Sequence, residues 1–237
     1  MAVPIMGHYE NAWQAVLRRV AAAATACGRT PESVHLLAVS KTFPADAVRA
    51  VYAAGQRAFG ENYVQEAAAK RAALADLTDV AWHLIGPLQS NKTAQAASFD
   101  WIESVDRLKI AQRLSAQRPP GLAPLSVCIE VNVSGEASKS GVAPTEAAAL
   151  ACAVADLPNL RVRGIMGIPA PTADATAARA QFRALARCFT ACRDAGLAVD
   201  TLSMGMSADL ELAIAEGATQ VRVGTAIFGA RQSGDNA

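Results

Sequence analysis

The chain has 237 residues, 52% hydrophobic and 18% charged, with a formal net charge of +1. This near-neutral balance excludes the electrostatic footprint of a nucleic-acid or anionic-membrane binder, and no apolar run nears the ~20 residues that span a bilayer. The length is that of one α/β barrel, about 200–250 residues, so residues 1–237 read as a single domain with its core over 9–231.

The opening MAVPIMGHYENAW has neither a basic start nor an apolar core, which predicts no signal peptide and a cytoplasmic protein. An Ala-rich helical stretch over 8–27 precedes any strand. Strand and helix patterns then alternate. Strands are expected at 35–41, 57–61, 81–86, 100–105, 125–133, 160–168, 199–204 and 219–224, with helical composition at 44–54, 62–75, 144–155 and 174–195 between them. Several strands are continuous apolar runs, as expected when both faces of a parallel sheet are covered. Eight strands in this alternation predict a (β/α)8 TIM-type barrel with an additional N-terminal helix. A doubly wound open sheet is the competing fold, but no GxGxxG follows the first strand.

The five cysteines, Cys27, Cys128, Cys152, Cys188 and Cys192, form no CxxC pair, which reads against a disulfide framework or a zinc ribbon. Cys188 and Cys192 stand four apart on one helical stretch without His or carboxylate at ligand spacing, and read as small buried residues.

In such a barrel the chemistry sits at the C-terminal ends of the strands. The residues there are Lys41, Glu61 and Asn62, His83 and Gly86, Asn132, Met166 and Gly167, Ser203 and Met204, then Arg222 and Gly224. This set holds no matched carboxylate pair and no histidine-rich metal set, and the chain has no GxSxG elbow. Lys41 closes the apolar run LLAVSK, and burial there favours the neutral amine that forms imines. After the seventh and eighth strands come SMGMSADLELA and RVGTAIFGAR, each with a glycine and then Ser207 or Thr225 where a helix would start. These residues read either as helix caps or as phosphate donors, and the loops after strands seven and eight are where barrels often hold phosphate. A lysine facing a phosphate site fits pyridoxal 5'-phosphate (PLP), with Arg222 placed to face the pyridine nitrogen.

The segments LLAVSKTFP, FGENYVQEA, WHLIGPLQSNK, SVDRL, SGEASKSGV, RGIMGIPAP and LSMGMSADLELAIAEGATQVRVGTAIFGAR resemble the pyridoxal phosphate homeostasis protein family over residues 9–231. That family shares the barrel of the N-terminal domain of alanine racemase. The resemblance implies that Lys41 forms the internal aldimine and that Ser207, Gly224 and Thr225 hold the phosphate. It further implies that Arg222 approaches the pyridine nitrogen, while Asn62, His83, Met166 and Ser203 line the ring's pocket. Where the family commonly reads GMSDDM, this chain has Ala208, so no role is carried over to that side chain. Three residues keep a second reading: His83 as a hydrogen-bonded core histidine, Arg222 as an interior ion-pair partner of Glu130, and Lys139 as a solvated loop lysine or a secondary phosphate contact.

These residues read as a PLP carrier that serves PLP-dependent apoenzymes; a lone compact barrel predicts a mainly monomeric protein, and a missing second base together with Arg222 predicts no substantial turnover. The alternative is a PLP-dependent racemase or decarboxylase of the same barrel superfamily. Racemisation needs a second acid–base group, in alanine racemase a tyrosine from a separate C-terminal domain. Here the tyrosines are Tyr9, Tyr52 and Tyr63, and only a short segment follows the eighth strand. Sugar-phosphate aldolase chemistry is a third possibility, which would place the lysine later in the barrel beside carboxylates.

Overall fold

The structure, a computed structural model, describes residues 3–136 and 138–230. Arg231, the last residue of the GAR motif, lies outside them. Eight parallel strands close into one barrel in the order β1 to β8. They are β1 (His35–Val39), β2 (Ala58–Glu61), β3 (Ala81–Leu84), β4 (Trp101–Val105), β5 (Leu125–Glu130), β6 (Leu160–Met166), β7 (Thr201–Ser203) and β8 (Gln220–Val223). Pairing of β1 with β8, from His35 opposite Gln220 to Ala38 opposite Val223, closes the ring.

The helices are α1 (Val3–Ala26), α2 (Ala45–Ala53), α3 (Val64–Ala73), α4 (Thr93–Ala96), α5 (Leu108–Gln117), α6 (Ala147–Ala155), α7 (Ala175–Asp194), α8 (Leu210–Ala215) and α9 (Thr225–Phe228). The barrel and its additional N-terminal helix are those expected from sequence. Each expected strand contains an observed one, and the observed strands are shorter, mostly at their C-terminal ends. There the chain leaves the ladder to build the mouth of the barrel.

Side chains alternate along each strand. On β1, Leu36 and Ala38 join the main core between sheet and helices, whereas Leu37 and Val39 form a small separate cluster with Ile85. Much of the remaining buried strand surface is polar: Glu61, His83, Glu103, Glu130, Ser203, Gln220 and Arg222 are all buried. Small-residue packing brings the helices close to the sheet, as at Ala47, Ala67, Ala111, Ala151 and Ala213. Cys188 and Cys192 are buried on α7, where burial pushes the Cys192 thiol up to about 11. Among the described residues no helix is long and apolar enough to cross a membrane.

Candidate functional site

A cleft of about 360 Å³ opens at the C-terminal mouth of the barrel. Lys41, Asn62, Glu130, Ser207, Arg222 and Thr225 supply its polar wall, with Val39, Ile85, Ile168 and Met206 among the apolar one. Of the nine residues expected at the site, Lys41, Asn62, Ser207, Arg222, Gly224 and Thr225 meet here.

Lys41 sits in a tight turn. Ser40 still bonds to the ladder through its N–H to Gly60, at 3.0 Å, and the chain reverses at Thr42, whose φ is +69°. Lys41 itself is half-buried.

Two loops approach from the other side. An added Cβ on Gly224 would meet the Val39 carbonyl at 3.1 Å, so glycine lets β8 pass close to β1 at the cleft floor. Thr225 begins α9, as expected for a residue after glycine. Ser207 does not begin a helix: it lies in the turn before Leu210, the first residue of α8. Asp209 instead closes that turn, its Oδ1 accepting the Met206 N–H at 2.6 Å. The Ser207 hydroxyl accepts the Ala226 N–H at 3.3 Å, joining the two loops. From α1, Arg19 donates to the Ser207 carbonyl at 3.0 Å and ties the turn to the N-terminal helix.

Arg222 rises from β8 with its donors fixed. Nη1 donates to the carbonyl and the hydroxyl of Ser203, both at 2.7 Å, and Nη2 donates to the Gly167 carbonyl at 2.9 Å. No ion pair to Glu130 is made among the described residues, so the guanidinium is held by neutral acceptors. Burial pulls its pKa down, opposed by the charges of Glu103 and Glu130.

His83, Ser203 and Met166 are not brought into the cleft. His83 and Ser203 belong to a buried network below it. His83 Nδ1 lies 2.6 Å from Glu103 Oε1, Ser203 Oγ donates to Glu103 Oε2 at 2.6 Å, and Gln220 Nε2 donates to Glu103 Oε1 at 2.7 Å. Burial alone would raise the Glu103 carboxyl, yet His83, Arg222 and Ser203 hold it below the usual range. His83 also stacks on Trp101 and lines a cavity of about 530 Å³ at the opposite, N-terminal mouth. That cavity is larger than the cleft but carries none of the glycine loops. Met166 is fully buried in β6, in register with Glu130 and Ser203.

Glu130 ends β5, 8% exposed, with Oε2 making no hydrogen bond among the described residues. Burial, with the Asp106 charge and against Arg222, pushes its pKa up to about 7. Sequence reasoning weighed Glu130 only as a partner of Arg222. It missed Glu103, whose one signal is a carboxylate inside the apolar run WIESV.

Residues 13–232 match the family model described as alanine racemase, N-terminal domain. Over 220 residues the chain is 63% identical to a pyridoxal phosphate homeostasis protein of Pseudomonas aeruginosa, covering 92% of this chain and 94% of that one. The chain belongs to the pyridoxal phosphate homeostasis protein family. The Escherichia coli protein of that name is 53% identical over 216 residues, covering 90% of this chain and 92% of that one. Among solved structures, PipY of Synechococcus elongatus with PLP bound superposes with a TM-score of 0.77 at 41% identity, covering 89% of this chain and all of that one.

Proposed function

We propose that this chain binds pyridoxal 5'-phosphate through Lys41 as an aldimine and supplies it within the cell, without substantial turnover of amino acids. The observation that carries the reading is the convergence of an amine, a guanidinium and two hydroxyl-bearing loops on one cleft. Its volume lies within the usual range for small-ligand pockets, roughly 300–1,000 Å³.

The residues fit the cofactor chemically. Lys41 would supply the amine that condenses with the aldehyde carbon, releasing water. Ser207, Gly224 and Thr225 offer hydroxyl and backbone donors to the phosphate. Arg222, in the cleft wall, would face the ring nitrogen. An arginine there disfavours ring protonation by like-charge repulsion, which weakens the electron sink that amino-acid chemistry needs. Asn62 would border the ring from the cleft wall, and Ser203, beneath the cleft, would act by holding Arg222, with His83 and Met166 buried near it. The relatives' shared name and the PLP-bound neighbour support this reading. Transfer to apoenzymes and a monomeric, cytoplasmic state complete the proposal.

Glu130 is the one observation that favours a second reading, a racemase, because a carboxyl with a pKa of about 7 is suited to proton transfer. Two experiments test the assignment. The purified protein should show an aldimine absorption band that borohydride bleaches; no such band after PLP addition would refute the Lys41 aldimine. Deuterium exchange at the α-carbon of L- and D-amino acids should stay far below an ordinary rate of about 1 per second. Faster exchange, abolished by Lys41→Ala and by Glu130→Gln, would establish the racemase instead.

A further inference from the structure

Lys70 and Glu66 belong to α3, none of whose described residues lines the cleft, yet they grip the turn that carries Lys41. The Lys70 ammonium is 6% exposed and donates to the Ser40 carbonyl, Glu61 Oε1 and Glu66 Oε1, each at 2.7 Å. An ammonium has three donors, and these acceptors use all of them. Ser40 Oγ also donates to Glu61 Oε1 at 2.6 Å. On the far side of Lys41, Glu66 Oε1 accepts the Thr42 N–H at 2.5 Å. Both neighbours of Lys41 are therefore fastened to one charge cluster, buried at Lys70 and Glu61 and partly exposed at Glu66.

The fastening opposes strain. Thr42 has φ at +69°, in the left-handed region that a β-branched residue rarely enters. Such a conformation persists only where the surroundings over-determine it. Glu66 holds the Thr42 N–H itself, Lys70 holds Glu66 and the Ser40 carbonyl, and the Phe43 N–H closes the turn onto that same carbonyl at 3.1 Å. We propose that Glu66 and Lys70 are positioning residues that hold the Thr42 turn and thereby set the reach and reactivity of Lys41. The inference rests on Lys41 being the imine-forming lysine, and it assigns to α3 a role that no cleft residue fills.

The test separates capture of the aldehyde from binding of the ring and phosphate. Pyridoxine 5'-phosphate has an alcohol in place of the aldehyde and cannot form an imine, so its affinity reports the cleft alone. Glu66→Ala should slow borohydride-trappable capture of PLP on the order of ten- to a hundredfold, the loss expected for an ångström-scale misplacement. Affinity for pyridoxine 5'-phosphate should stay within about twofold, well under 1 kcal/mol. Glu66→Gln keeps an acceptor for the Thr42 N–H and should fall between Ala and wild type. Thr42→Gly adopts the left-handed turn without strain and should restore capture in the Glu66→Ala background. Lys70→Met, if it folds by thermal melting, should behave like Glu66→Ala. Equal losses for both ligands, unchanged capture, or no rescue by Thr42→Gly would overturn the proposal. Absence of trappable PLP in the wild type would instead refute the Lys41 reading on which it rests.

Discussion

Ser203 on β7 donates to Glu103 on β4 across the barrel interior, Oγ to Oε2 at 2.6 Å, and with the same oxygen accepts from Arg222 at 2.7 Å. The barrel is thus cross-braced by a carboxylate that never reaches the cleft, and the brace fixes the arginine that does.

Removing that acceptor should be felt at the cofactor. Ser203→Ala leaves Arg222 Nη1 with the Ser203 carbonyl alone and deprives Glu103 of a donor. A hydrogen bond to a charged group contributes about 1.5–3 kcal/mol to folded stability, and the looser placement of Arg222 alone should lower PLP affinity about tenfold. Titration of PLP against protein absorbance measures it, and an unchanged affinity would mean that the guanidinium is held without Ser203.

The phosphate end is tested by charge. Thr225→Glu puts a carboxylate at the start of α9, beside Gly224 and Ser207. It should weaken PLP far more than pyridoxal, which lacks the phosphate, by at least about tenfold in the ratio. Equal weakening would place the phosphate elsewhere.

Much of this was legible before the structure. The alternation of strand and helix patterns marked all eight strands, several as apolar runs because each is covered on the side facing the helices, and Lys41 stood out as an ammonium at the end of one. Depth inside the barrel was not legible. Strands in a closed barrel tilt and stagger, so equal distance from a strand end is not equal height. His83 and Ser203 therefore lie below the cleft while Arg222 enters it. Lys70 was invisible for another reason. On an Ala-rich helix it reads as a solvated residue, and only the packing of α3 against the β1 turn buries it.

Glu130 predicts a pH dependence. Its folded-state pKa, about 7, lies above the usual value of 4.5, so the folded state binds a proton that the unfolded chain releases. The associated stability is complete below about pH 4.5 and is lost as pH rises through 7. Glu130→Gln should leave the stability of the cofactor-free protein nearly unchanged at about pH 4 and raise it at about pH 8 by up to about 3 kcal/mol. Urea melts at the two pH values check this; a gain at the lower pH alone would contradict the assignment.

Gly86 tests how closely β2 and β3 meet at the mouth. A Cβ there collides with the backbone of Asn62, both its carbonyl oxygen and its Cα. Gly86→Ala should destabilise the protein by about 1–3 kcal/mol, lowering Tm by roughly 2–4 °C per kcal/mol, and weaken PLP binding by displacing Asn62. A variant with unaltered Tm and affinity would show that the loop yields freely.

The central claim is that Lys41 is the residue that holds the cofactor. Borohydride reduction of the PLP-loaded protein, followed by peptide mass mapping, tests it most directly. The account predicts a phosphopyridoxyl group on Lys41. A label found only on Lys92, Lys109 or Lys139 would contradict it.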